Sequence, residues 1–453
     1  MTAVEIEFGS DALTVHVPDG SDLLTLPKVA PLVDATEALQ RGLDDPIGGD
    51  PLATIVQRAL AQNVVASAAI VISDNTRPVP YGGPQGILPP LLGALRSEGV
   101  QQTVIIVATG THRGMTDDEL RELLPDEAFA PDVRIVNHDC TDRDGLRHIG
   151  RTTRGTDAWV NALYLDADIK ILTGLVEPHF MAGFSGGRKA ICPGLVGMEA
   201  THIFHGAAMM AHPQADSLVL EGNPCHEEAL EVARMAGCDF VVNVTIDRHK
   251  QITGLFCGEM EAAHAAACIK AADTNTIPIA HAYDIVVTHA GFAGINHYQA
   301  AKAACEGAKA VRQGGAMILA ANHTDVHPVG GVGYRRMLAL LHELGPTALN
   351  ERLRRPDWSF VPEQWEAQKW AEVFTKLGRL DRLDYCAPRL TGAAFQEHSI
   401  PGNDGGVGLE PRPEPAWAAA MVQRSLDQRL EEQAGASVAL LLDGPYGVPS
   451  LNG

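Results

Sequence analysis

The chain has 453 residues, 45% of them hydrophobic, more than one ordinary core holds and enough to build two or three. Its formal net charge of −21 argues against nucleic acid or an anionic membrane as partner, so any anionic ligand needs a local basic pocket. The opening Met1-Thr2-Ala3-Val4-Glu5-Ile6-Glu7 has no basic and apolar leader, and no apolar run approaches the ~18 residues of a membrane span, which predicts a cytoplasmic protein.

In chain order, the first 35 residues alternate apolar and polar, as in Leu13-Thr14-Val15-His16-Val17, and predict a small hairpin layer. Near-continuous apolar runs at 69–72, 104–107, 133–136 and 169–172 then read as strands of a parallel sheet covered on both faces. Helical stretches lie between them at 87–96 and 117–124, the second opened by the capping box Thr116-Asp117-Asp118-Glu119. A strand at 240–246 pairs with 252–256, and an alanine-rich helix covers 261–272. The run Asp273-Thr274-Asn275-Thr276-Ile277-Pro278 breaks the pattern like a hinge. Beyond it come a strand at 284–288, a helix at 298–311, a strand at 316–320 and helices at 335–344 and 365–377. Residues 392–415, rich in Gly and Pro, read as a loop or cover, followed by a helix carrying Val422, Leu426 and Leu430 and a strand at 438–442. The fold class expected is α/β, with two α/β domains, mostly parallel sheets and an interdomain active-site cleft. The N-terminal domain is placed at 1–275, and a smaller C-terminal domain at 276–453 closes the cleft.

Four strand ends carry polar clusters. They are Ser73-Asp74-Asn75-Thr76-Arg77-Pro78, Thr109-Gly110-Thr111-His112-Arg113-Gly114, the long turn from Glu177 to Lys189, and Thr288-His289-Ala290-Gly291-Phe292 leading to Tyr298-Gln299 and Lys302. Strand ends of a parallel sheet share one edge, so the first three converge without further assumption. Each also has a plain structural reading. Asp74 and Arg77 at i, i+3 pair with each other or cap a helix, Gly186-Gly187 permits a tight turn, and Gln299 and Lys302 share one solvated helical face. The glycine turn is not a P-loop, because Ala190 follows Lys189 where Ser or Thr would stand. Taken together, the loops supply three imidazoles, an arginine, two lysines and a glycine nest. The eight cysteines form no C-x-x-C pair and read mostly as small buried hydrophobes; Cys192, three residues past Lys189, is a weaker candidate for a reactive thiol.

At these residues the chain resembles the nickel-dependent lactate racemase family. The motifs are Asp74-x-x-Arg77-Pro78, Gly110-Thr111-His112-Arg113, His179-x-x-Ala182-Gly183-Phe184-Ser185-Gly186-Gly187-x-Lys189, His205, and Tyr298-Gln299-x-x-Lys302, spread over most of residues 70–305. The resemblance implies two α/β domains and a nickel pincer nucleotide, a pyridinium mononucleotide with thioamide and thiocarboxylate sulfur ligands, joined covalently to a lysine. Lys189 then corresponds to the tether, His205 to the nickel ligand, and His112 and His179 to the acid/base pair. Arg77 corresponds to the substrate-carboxylate anchor, Tyr298, Gln299 and Lys302 to polar contacts, and Trp365 to an apolar wall. Asp74 and Ser185-Gly186-Gly187 are expected to hold the nucleotide. Cofactor-synthesis enzymes are implied as partners, and protein from an ordinary expression host is expected to lack the cofactor.

The implied activity is racemisation or epimerisation of a 2-hydroxy acid by hydride transfer. Removing the Cα proton beside an ionised carboxylate creates a doubly anionic intermediate, whereas removing hydride leaves a stable 2-keto acid. The antipodes present their hydroxyls differently, so each needs its own imidazole, whose ordinary pKa of about 6.5 suits proton exchange at neutral pH. Arg77 fits a carboxylate through its bidentate fork. Arg188, next to Lys189, is expected to lower the amine pKa and favour the neutral nucleophile. One alternative is a metal-dependent hydrolase with zinc on His112, His179 and His205, against which stand the separations of 67 and 26 residues and the lack of an H-x-x-x-H pair. Another is a non-catalytic nucleotide carrier or sensor, which needs the glycine turn and lysines but not three histidines.

Overall fold

In the computed structural model, which describes residues 1–408 and 410–451, the chain divides into two compact units. One comprises Lys28–His205 and His212–Thr274; the other comprises Met1–Pro27, Gly206–Ala211 and Asn275–Gly453. The first 27 residues and the short segment 206–211 group with the C-terminal residues rather than with the segment 28–274. The cause is visible in the pairing: Asp22–Leu24 adds a parallel edge strand beside Val438–Leu441, with Leu23 opposite Leu440. The first hairpin, Thr2–Phe8 with Asp11–Val17, buries Val4, Ile6, Phe8, Leu13 and Val15 in one apolar cluster with Met421, Val422 and Leu426.

The unit built on residues 28–274 has a six-stranded sheet. Its order is Ile252–Gly258, Phe240–Ile246, Ile169–Leu175, Ser67–Ser73, Gln102–Ala108, Val133–Asn137. All neighbours are parallel except the first pair, which is an antiparallel hairpin. Ile70, Val71 and Ile72 are fully buried, as the unbroken apolar run requires of a central strand covered on both faces. Each such side chain contributes about 1.5–3 kcal/mol. Chain order runs outward from Ser67–Ser73 in one direction and then restarts on its other side with Ile169–Leu175. That reversal is a topological switch point, where the loops at the carboxyl ends part and leave room for a ligand.

The other unit has an all-parallel five-stranded sheet in the order Leu383–Cys386, Val311–Ala320, Tyr283–His289, Val438–Leu441, Asp22–Leu24. The helix His297–Ala310 is capped by Asn296, whose side chain accepts from the Gln299 N–H. Two segments differ from expectation. Residues 273–278 form no loose hinge, since the helix Met260–Asn275 passes straight into the strand Thr276–Ile279, which pairs with Val448–Leu451. The helix expected to stop at 344 does break there, at Gly345 with φ of 77°, but Pro346 restarts it to Leu353. Within 392–415, a turn of helix covers Gly392–Glu397; residue 409 lies outside the described residues. No helix among the described residues is long and apolar enough to cross a membrane.

Candidate active site

Three loops meet at the switch point of the first unit. Ser73 stands opposite Ala108 in the sheet register, so the loops after both strands start level. The loop after Ser73 is braced by buried Tyr81, whose hydroxyl accepts from the Ser73 N–H at 2.6 Å and from Thr173 at 3.2 Å. The loop carrying His112 is tied to the turn beyond Lys189 by the Gly110 N–H, which donates to the Gly194 carbonyl at 3.1 Å.

Asp74 does not pair with Arg77. Its Oδ2 lies 2.7 Å from His112 Nδ1, and its Oδ1 accepts from the Thr76 hydroxyl at 2.5 Å and the Thr76 N–H at 3.1 Å. Burial works to raise the Asp74 pKa, but the hydrogen bonds from His112 and Thr76 and the charges of His112 and Arg77 outweigh it and hold it below the usual carboxylate range. The His112 side chain is half exposed at 49%, and Asp74 fixes the ring through Nδ1. Arg77 instead pairs with Glu177, 3.2 Å away.

His179 sits on the short ribbon Pro178–His179 with Gly183–Phe184. Its Nδ1 accepts from the N–H groups of Met181 and Ala182, each at 3.3 Å. Gly183, at φ of 77°, is required for the ribbon to close, because a Cβ there would lie 2.1 Å from the Val219 carbonyl oxygen.

The glycine turn is held from within. The Ser185 hydroxyl donates to the Leu175 carbonyl at 2.8 Å and accepts from the Glu177 N–H, and the Gly187 N–H donates to Asn243 Oδ1 at 3.1 Å. A Cβ on Gly186 would meet Val176 and one on Gly187 would meet His264, both at 2.6 Å. Arg188 is buried and donates to the Ala182 carbonyl at 2.7 Å and to His264 Nε2 at 2.9 Å. Burial draws its pKa down to about 10, still cationic at neutral pH. Lys189 is half-buried, its Nζ 6.0 Å from the Phe204 ring, which in turn meets the His205 ring edge-on at 4.7 Å. Burial, aided by the charges of Lys189 and His112, pushes the His205 pKa down to about 3, so its imidazole is neutral. Cys192 is buried and its thiol is pushed far up by burial, which removes it as a nucleophile.

The second unit groups the other expected residues by themselves. The Trp365 indole N–H donates to the Tyr298 hydroxyl at 2.9 Å, Gln299 and Lys302 follow on the same helix as Tyr298, and buried Glu366 lies in the field of Lys302 and Lys369. Asn243, His264 and Glu366 were not anticipated, and Glu177 only as the start of its polar turn; of the first three, only Asn243 left a local mark, a lone amide inside an otherwise apolar strand. Among the described residues no group of three or more His, Cys, Asp or Glu comes together as metal ligands, so a three-histidine zinc site has no donor set.

The switch point of this unit thus carries separately held imidazoles, an arginine and a lysine, with the half-buried imidazole of His205 beyond Phe204. Residues 8–217 match the family model described as the lactate racemase N-terminal domain. The lactate racemase of Thermoanaerobacterium thermosaccharolyticum is 33% identical over 82% of this chain and 86% of its own, and that of Lactiplantibacillus plantarum is 31% identical over 82% and 86%. The chain belongs to the lactate racemase family and is an isomerase. The resemblance read from Asp74, His112, His179, Lys189 and Tyr298-Gln299 is thereby borne out at the level of family. The lactate racemase apoprotein structure from T. thermosaccharolyticum superposes with a TM-score of 0.80 at 28% identity, covering 99% of this chain and 100% of that one. A Thermotoga maritima protein shares the fold, with a TM-score of 0.63 at 18% identity over 88% and 97%.

Proposed function

We propose that the chain interconverts the antipodes of a 2-hydroxy acid, lactate being the first candidate, with a nickel pincer nucleotide tethered at Lys189 and His205 as the protein's nickel ligand. The observation that carries this is the nearness of half-buried Lys189 to the half-buried His205 imidazole, kept neutral by desolvation, at a switch point that also holds His112 and His179. The donor set fits the group: an amine to acylate and one uncharged nitrogen ligand, with no competing protein cluster among the described residues. When bound, the cofactor supplies a hydride acceptor for the substrate's Cα hydrogen.

The chain's own residues do the rest. Arg77 takes the substrate carboxylate, exchanging Glu177 for it. His112, its ring fixed by Asp74, accepts a hydroxyl proton at Nε2, and His179 serves the hydroxyl of the opposite antipode. Asp74 is better read as the holder of His112 than as a nucleotide contact, since its two oxygens are engaged by His112 and Thr76. Ser185, Gly186 and Gly187 likewise shape the turn that presents Lys189, because the Ser185 hydroxyl and the Gly187 N–H are engaged inside the chain. Tyr298, Gln299, Lys302 and Trp365 are assigned to substrate contacts by the family resemblance.

The test is intact mass and metal analysis of protein produced with and without the cofactor-synthesis enzymes. The expected result is a covalent adduct on Lys189 with one nickel per chain, and racemisation only in the loaded form. Racemisation by protein carrying neither adduct nor nickel would overturn the assignment.

A further inference from the structure

The hydrogen-bond partners of the two candidate imidazoles are of opposite kind. At His112, Nδ1 faces the Asp74 carboxylate at 2.7 Å. An ionised carboxylate only accepts, so Nδ1 must carry the proton, and in the neutral ring Nε2 is left with its lone pair. At His179, Nδ1 receives two backbone N–H groups, from Met181 and Ala182. Those groups only donate, so Nδ1 must hold the lone pair and the proton sits on Nε2.

We infer that the two rings rest as opposite tautomers, His112 offering a lone pair and His179 a proton at Nε2, with Asp74 as the positioning residue for the first and the 181–182 backbone for the second. This rests on the proposed function for its catalytic meaning. The resting chain is poised to take a hydroxyl proton at His112 and to give a hydrogen bond from His179. For His179 to act as the base, its ring proton must move from Nε2 to Nδ1, and both N–H bonds to Nδ1 are then lost. The antipodes therefore meet unequal partners. The equilibrium constant of a racemisation is unity, so kcat/KM is equal in the two directions, and the asymmetry emerges as kcat and KM that differ between antipodes in the same proportion.

The experiment reads the ring nitrogens directly, in full-length cofactor-free protein selectively labelled with 15N-histidine. Spectra are taken about two pH units above the ordinary histidine pKa, with resonances assigned through His112→Gln and His179→Gln. The expected result is a protonated Nδ1 and bare Nε2 for His112, and the reverse for His179. The same tautomer at both, or the two exchanged, overturns the inference. In Asp74→Ala, His112 should shift toward the Nε2–H form that free imidazole side chains prefer in water, while His179 stays as it was; a purely structural role for Asp74 would leave the His112 tautomer unmoved. If that variant does not fold, the wild-type spectrum alone decides. Because no turnover is needed, opposite tautomers in a protein that never racemises would count against the proposed function and not against this inference, whereas like tautomers in an active racemase would do the opposite.

Discussion

Arg77 and Glu177 are joined across the switch point, the guanidinium 3.2 Å from the carboxylate, with the two side chains 23% and 31% exposed. The pair joins the loops after two neighbouring strands, and it gives the proposed substrate anchor an internal competitor. A partly exposed ion pair contributes about 0–1 kcal/mol.

Glu177→Gln should therefore lower KM for the 2-hydroxy acid by up to about fivefold with little change in kcat, because the substrate carboxylate no longer displaces a charged partner. Arg77→Lys should raise KM at least about tenfold, since a bidentate fork becomes a point charge. Steady-state kinetics of the two variants checks both, and an unchanged KM in Arg77→Lys would reduce Arg77 to a structural partner of Glu177.

Neighbours in sequence should behave oppositely at 188 and 189. Lys189→Ala should abolish the adduct, read by peptide mapping, while thermal unfolding stays near wild type, because the side chain is only half-buried. Arg188→Ala should cost about 2–4 kcal/mol, because the Ala182 carbonyl and His264 Nε2 lose their donor in a buried space and a cavity opens. An Arg188→Ala protein as stable as wild type would mean that the buried cation is no net support.

The contrast between these two residues shows where sequence reading succeeds and where it stops. The apolar runs around Ile70, Ile105 and Ile171 declared a parallel sheet, and the polar clusters after three of its strands stood out as candidates, because both signals are local. Arg188 and Lys189 are indistinguishable locally, and only the packing of His264 from a distant helix decides which is buried. The same holds for Asp74, whose i, i+3 spacing to Arg77 suggested a pair, while the sheet register brought His112 from the next strand instead. The grouping of residues 1–27 with the C-terminal unit depends on Leu23 meeting Leu440, a pairing that no local pattern encodes.

Glu366 predicts a pH dependence of stability. Burial pushes its pKa up to about 8 against the opposing charges of Lys302 and Lys369, with Glu363 adding to the rise. The native carboxyl keeps its proton where the unfolded one, near the ordinary value of about 4.3, has lost it. Stability should thus fall as pH rises between about 4.5 and 8, where the native state binds more protons, and level off above. Glu366→Gln should flatten that slope and gain on the order of a few kcal/mol at pH 8 relative to wild type. Denaturant titrations across this range check the sign, and parallel slopes for the two proteins would show that Glu366 ionises normally in the fold.

The fate of the substrate's Cα hydrogen separates hydride transfer from proton abstraction. A hydrogen that leaves and returns as hydride never meets solvent, so product formed by the cofactor-loaded protein in D₂O from unlabelled lactate should carry no deuterium at Cα. Abstraction as a proton by His112 or His179 would instead place it on a nitrogen that exchanges with water, most readily at half-exposed His112, and would leave label in the product. Hydride removal also creates a 2-keto acid at mid-reaction, so traces of it should escape during turnover. A Cα-deuterated substrate should react more slowly where that transfer limits the rate. Mass spectrometry of product from both antipodes checks these outcomes together. Substantial deuterium at Cα with no detectable keto acid would overturn the hydride route, and with it the reason for giving Lys189 a tethered acceptor and His205 a metal.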